Sequence, residues 1–188
     1  VHIISATATI SNNWVFSNTA YRGGGLFLSF DSAALSNNTV ISNIADFGGG
    51  PYLGGSDATL RGNTVMSNTA DEGYGGGLVV VSSDATLSDN TVISNTAKGG
   101  GGLIIAYYKV ATLINTVVVG NQASTAGSGL YIYGASPRML HTTIARNSGG
   151  DGSGVYVTDA GYDTWSTMAL TNTILVSHSV GISVTGAN

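Results

Sequence analysis

The chain has 188 residues, 28 of them Gly and none Cys, with 9% charged and 43% hydrophobic residues; this suits one domain with a real core, and the apolar runs Leu103 to Ala106 and Val117 to Val119 are far too short to cross a bilayer. Six Lys and Arg against ten Asp and Glu give a net charge of -4 with no basic cluster, which argues against nucleic acid as a partner and against membrane insertion of this segment. Without Cys there is neither a disulfide framework nor a thiolate metal site, and a charged fraction well under half the usual quarter leaves a surface of Ser, Thr, Asn and Gly.

From the N-terminus onward one phrase recurs. Its first copy is Ala8 to Ala20, the clearest are Ala33 to Ala45, Ala58 to Ala70 and Ala85 to Ala97, and looser ones follow at Ala111 to Ala123, around Leu140 to Asn147, and at Leu170 to His178. The last Asn of the phrase marks the steps: Asn18, Asn43, Asn68, Asn95, Asn121 and Asn147, with His178 in the seventh copy. The last Gly before an apolar triplet marks them again, at Gly25, Gly50, Gly77, Gly102, Gly129, Gly154 and Gly181. Two independent markers therefore give seven units of 25–27 residues.

After each marker Gly the residues alternate with period two, as in a strand with one buried face. Leu26, Pro51, Leu78, Leu103, Leu130, Val155 and Ile182 form one inward column, and Leu28, Leu53, Val80, Ile105, Ile132, Val157 and Val184 a second. The other half of the unit supplies Ile10, Leu35, Leu60, Leu87, Leu113, Leu140 and Leu170. No stretch has helical spacing with caps, and the Gly runs would break a helix. Three short strands per unit predict one coil of a β-solenoid, with equivalent positions stacked at ~4.8 Å and seven coils making a rod roughly 34 Å long.

The pattern Leu-x-Asn-x-Thr-Val/Ile-x-x-Asn-x-Ala followed by Gly-Gly-Gly-Leu, as in Leu35, Asn37, Thr39, Val40, Asn43, Ala45 and Gly48 to Gly50, resembles the right-handed parallel β-helix repeats of bacterial cell-surface proteins. That group includes the polymorphic outer-membrane protein passengers and secreted adhesin-like proteins. The resemblance covers essentially the whole chain and is weakest at Pro51 and in the sixth unit, which reads one residue short. It implies an all-β, right-handed parallel β-helix, an extracellular or cell-surface location and an adhesive or scaffolding role, and it implies no catalytic site.

The glycine triplets read as turn architecture, since no Gly-Lys-Ser/Thr follows them. The asparagine column reads as a ladder satisfying turn backbone. Asp31, Asp57 and Asp84 recur at one turn with Lys109 in the next coil, and could hold a cation, but single-carboxylate rungs rarely supply six oxygens. His2, His141 and His178 fall at different places in their coils, so no His pairs with an acid or a nucleophile. No catalytic residue, metal or cofactor is expected.

The outward side is more informative. Phe27, Tyr52, Val79, Ile104, Tyr131 and Tyr156 lie between the two inward columns and form an apolar stripe that marks a possible interface. Tyr107 and Tyr108 in one long turn, and Tyr162 and Trp165 in another two coils later, offer rings for a possible carbohydrate contact. Val1, Ile3, Ile182 and Val184 sit at strand-like ends with no visible cap, suited to end stacking. The sequence thus reads as a single β-solenoid domain over 1–188, a piece or processed part of a longer protein. As a function it suggests a non-enzymatic structural or adhesive element that self-associates head to tail into a filament or belongs to a long surface fibre. The alternative is a carbohydrate-binding or polysaccharide-cleaving β-helix that uses the long-loop edge on a cell-surface polysaccharide.

Overall fold

The computed structural model describes residues 1–30, 32–161 and 165–186. Every element in it is a β-strand, and every pairing between strands is parallel. One coil shows the plan: Leu26–Ser29 lies in sheet A, Ala34–Ser36 in sheet B, Thr39–Ile41 in sheet C and Ile44–Phe47 in sheet D. The chain then returns to sheet A one strand higher. Repetition gives sheets of eight, seven, seven and five strands, each strand pairing with its equivalent in the next coil. The fold is a parallel β-solenoid of about seven turns.

Sheet D is the fourth strand of a coil expected to have three. Its strands place a small residue in the core, namely Ala45, Ala70, Ala97 and Ala123 in successive coils, and the only further buried positions are Gly99 and Ala126, so no large apolar alternation announces them. The three predicted inward columns do fill the interior, with Leu26, Leu28, Leu53, Leu87, Leu103 and Ile105 at most 1% exposed. Each such side chain contributes roughly 1.5–3 kcal/mol of burial.

One column is corrected. Leu113 pairs with Met139, and Met139 with Leu170; Met139 is fully buried while Leu140 points out half-exposed. The sixth unit therefore has no deletion, because its thioether takes the leucine position and fills the same space. Pro51 keeps its register with Leu26, but lacking an N–H it stays outside the ladder to the next coil, which begins at Tyr52.

The glycine triplets close the turn from sheet D to sheet A. Their first members are in the left-handed region, as at Gly48 (φ +67°) and Gly100 (φ +59°), where a Cβ is strained. Their middle members lie against backbone of the next coil: a Cβ on Gly49 would sit 2.5 Å from the N and O of Thr69.

Two amide ladders satisfy the turns on either side of sheet C. In the predicted one, each Asn Oδ1 accepts from the backbone N–H and the Nδ2 of the Asn one coil below, from Asn18 through Asn43, Asn68, Asn95 and Asn121 to Asn147, at 2.9–3.0 Å. Each Nδ2 also donates to a carbonyl below, as Asn68 does to Val40 at 2.9 Å. A second ladder, unforeseen, joins Asn13, Asn38, Asn63 and Asn90 in the turn between sheets B and C. It continues as Thr116, Thr142 and Thr173, whose hydroxyls donate to strand carbonyls.

Candidate functional site

The outward stripe is a true column of sheet A: Phe27, Tyr52, Val79, Ile104, Tyr131 and Tyr156 are successive register partners. It is not evenly exposed. Val79 and Ile104 face outward yet are only 3% and 8% exposed, because taller side chains stand around them. Two aliphatic rungs between two tyrosine rungs leave a depression spanning three strand spacings, roughly 14 Å from Tyr52 to Tyr131.

Walls close this depression into a groove of about 420 Å³. Phe47, the last residue of its sheet D strand, and Tyr74, in the turn after Thr69–Ala70, stand on one side. Tyr107 and Tyr133 stand on the other, edge to face with ring centroids 5.4 Å apart. Glycines make the room: a Cβ on Gly73 would strike the Phe47 ring, and one on Gly99 would lie 2.6 Å from the Tyr74 ring. Tyr131 is braced by Tyr74 and Tyr156, at 5.2 and 5.0 Å between centroids, and Phe27 stacks on Tyr52 at 5.2 Å.

Burial, then the neighbouring phenols, push the Tyr131 hydroxyl up to about 12. Burial also raises Tyr52, against the opposing pull of Arg22. These groups stay protonated and neutral, as donors on the rim of an apolar trough. Arg22 is the one charged residue among those lining it, its guanidinium 5.5 Å from the Tyr21 ring centroid and 5.8 Å from that of Tyr52.

The long-loop residues separate. Tyr107 belongs to the groove wall, whereas Tyr108 and Trp165 are exposed, at 74% and 57%, and do not line it. Tyr162 lies outside the described residues. The aspartate turn is internally paired: the backbone N–H of Asp84 donates to Asp57 at 3.2 Å, and Lys109 Nζ and the Val110 N–H each donate to Asp84 at 2.8 Å. The hydrogen bond from Lys109 holds the Asp84 carboxyl below the usual range. Lys109 thus occupies the position that a cation would need. Asp31 lies outside the described residues.

The groove could not be assembled from sequence neighbours, since its walls come from two turns and two sheets. One signal was available: the second outward column of sheet A, Val81, Ala106 and Tyr133, has the same period as the first.

The family profile of the periplasmic copper-binding protein NosD matches residues 49–188, well over half of the chain. The chain belongs to the NosD family. No curated protein matches it. NosD is described as periplasmic, which agrees with a place in the cell envelope or beyond it in the coarse sense. The resemblance to outer-membrane passengers holds at the level of the parallel β-helix repeat.

Copper prefers thiolate, thioether and imidazole ligands, and this member's donors do not converge. The chain has no Cys. His2 packs edge-on against Phe27 in sheet A, His141 lies in the turn between sheets B and C, and His178 between the last strands of sheets C and A. Met139 is sealed in the core, and Met66 lies on the outer face of sheet C. Among the described residues no three of His, Cys, Asp and Glu come together. The described residues of this chain do not fit a copper centre.

Proposed function

We propose that this NosD-family chain is a non-enzymatic adhesive β-solenoid of the cell surface that holds saccharide in the sheet A groove. The groove carries the reading: an apolar floor of Val79 and Ile104, tyrosine faces at both ends and both sides, and neutral hydroxyls on the rim. Pyranose rings bury their C–H faces on aromatic rings while their hydroxyls exchange hydrogen bonds with such rims. A pyranose unit is also about as long as the ~4.8 Å strand spacing, so a chain of them can run across the coils in register.

Two observations support the non-enzymatic part. No carboxylate or imidazole is among the residues lining the groove, so a general acid–base pair has no place there. The acidic turn at Asp57 and Asp84 is held by Lys109.

The test is retention on immobilised polysaccharides, with hydrolase and lyase assays on the same panel. Tyr52→Ser with Tyr131→Ser should abolish retention at unchanged circular dichroism, and Tyr108→Ala with Trp165→Ala should leave it intact. Retention that follows Tyr108 and Trp165 instead would move the contact to the long-loop edge. Turnover lost on Asp57→Asn or Asp84→Asn would make the protein an enzyme.

A further inference from the structure

We infer that the groove selects an acidic saccharide, with Arg22 as the residue that reads its carboxylate; this rests on the saccharide reading of the same groove. Arg22 ends the strand Thr19–Arg22 of sheet D and stands at the Tyr52 end of the trough. Three cations among the described residues have a carboxylate partner: Arg61 with Asp89, Lys98 with Glu72 and Lys109 with Asp84. Arg22, Arg138 and Arg146 have none there, and of these only Arg22 lines the trough, its side chain beside the Tyr21 and Tyr52 rings.

In a chain with net charge -4, a trough whose single charge is positive is a local reversal of sign. An anion is repelled by the acidic surface elsewhere and attracted here. The guanidinium presents a planar fork that matches a carboxylate bidentately, and aromatic faces beside it supply the surface on which a sugar ring lies flat. A carboxylate borne on a pyranose ring, as in a uronic acid, uses both features at once. An acidic peptide would use the cation but offers no flat C–H face to Tyr52 and Tyr131.

The experiment is isothermal titration of the whole chain with an oligouronate, with its methyl ester, and with oligoglutamate. The uronate should bind at least about tenfold more tightly than its ester, the size expected of a charge-assisted hydrogen bond, and the advantage should shrink with added salt. Arg22→Gln should remove the advantage while leaving the weaker ester binding in place, and Arg22→Lys should restore only part of it. Equal affinity for acid and ester would overturn this inference and leave the saccharide groove standing. Binding of oligoglutamate alone, or of none of the three, would overturn both.

Discussion

Asn68 is fully buried, and its amide is used at both ends. Its oxygen accepts from the N–H and the Nδ2 of Asn43, and its nitrogen donates to Val40 and to Asn95. Asn68→Ala would strand the Asn43 N–H and deprive the Val40 carbonyl of this donor, and two such losses at roughly 1–3 kcal/mol each give an expected cost of about 2–6 kcal/mol. Asn18→Ala, at the exposed start of the same ladder, should cost under about 1 kcal/mol; urea denaturation compares the two. At the other end His178 sits with Nε2 3.3 Å from the Asn147 amide nitrogen, which must donate, so the ring nitrogen accepts and the ring is neutral. Burial lowers its pKa. The unfolded chain therefore takes up this proton first as pH falls, so the contribution is complete above the ordinary His value and is lost as pH drops through the depressed one. Melting of the last coil should shift downward between about pH 7 and 5, and His178→Asn should remove that shift. An unchanged pH profile in the variant would show that His178 does not end the ladder in this way.

Among the elements, the turn between sheets D and A tolerates least. Gly76 has ordinary backbone angles, yet a Cβ there would strike the Thr96 carbonyl and lie 2.6 Å from the Gly101 oxygen, backbone that cannot rotate away. Gly76→Ala should prevent cooperative folding or sharply lower the melting temperature, whereas Gly181→Ala, with nothing within 4 Å, should stay within about 0.5 kcal/mol of the parent. Such rules were legible wherever one residue type repeats at one register, which is why seven coils, the Gly turn and the Asn18-to-Asn147 ladder could be read directly. Sheet D was not, because two- to five-residue strands whose buried positions are only Ala and Gly leave no apolar period to detect. The Asn13-to-Asn90 ladder was hidden by its change to Thr at Thr116, Thr142 and Thr173, since hydroxyl and amide meet the same need without sharing a letter. The groove needed three dimensions: period two put Val79 and Ile104 outside, and only Phe47, Tyr74, Tyr107 and Tyr133, from other elements, decide that outside is not exposed.

For the whole molecule, family and residues point different ways on metal. The NosD name is that of a copper-binding protein, while this chain's imidazoles are on three separate parts of the solenoid and its buried thioether is in the core. Titration with copper against a competing chelator should show no stoichiometric site that raises the melting temperature, and a one-to-one complex that does so would contradict the donor arrangement.

The ends of the rod carry the last prediction. Both coils expose apolar side chains: Val1, Trp14 and Phe16 at 60–71% at the lower end, and Ile174, Val176 and Val184 at 47–71% at the upper. The amide ladders run one way, with Asn13 and Asn18 donating into the coil above and the upper end finishing on Thr173 and His178. Register adds detail. Phe27 pairs with His2, and Tyr156 with Ser183, so a second copy continuing the same columns would set Ser183 beneath His2, Ile182 beneath Val1 and Val184 beneath Ile3. A contact between unlike ends does not close on itself and propagates as a filament. Sedimentation across a dilution series, with microscopy, should show concentration-dependent fibres whose axial repeat is about eight strand spacings, roughly 38 Å, one for each strand of sheet A. Ile182→Lys with Val184→Lys places two charges where the register demands apolar contact, and should return the protein to monomer without loss of fold. A parent chain that stays monomeric at every concentration would show that these faces do not join copies.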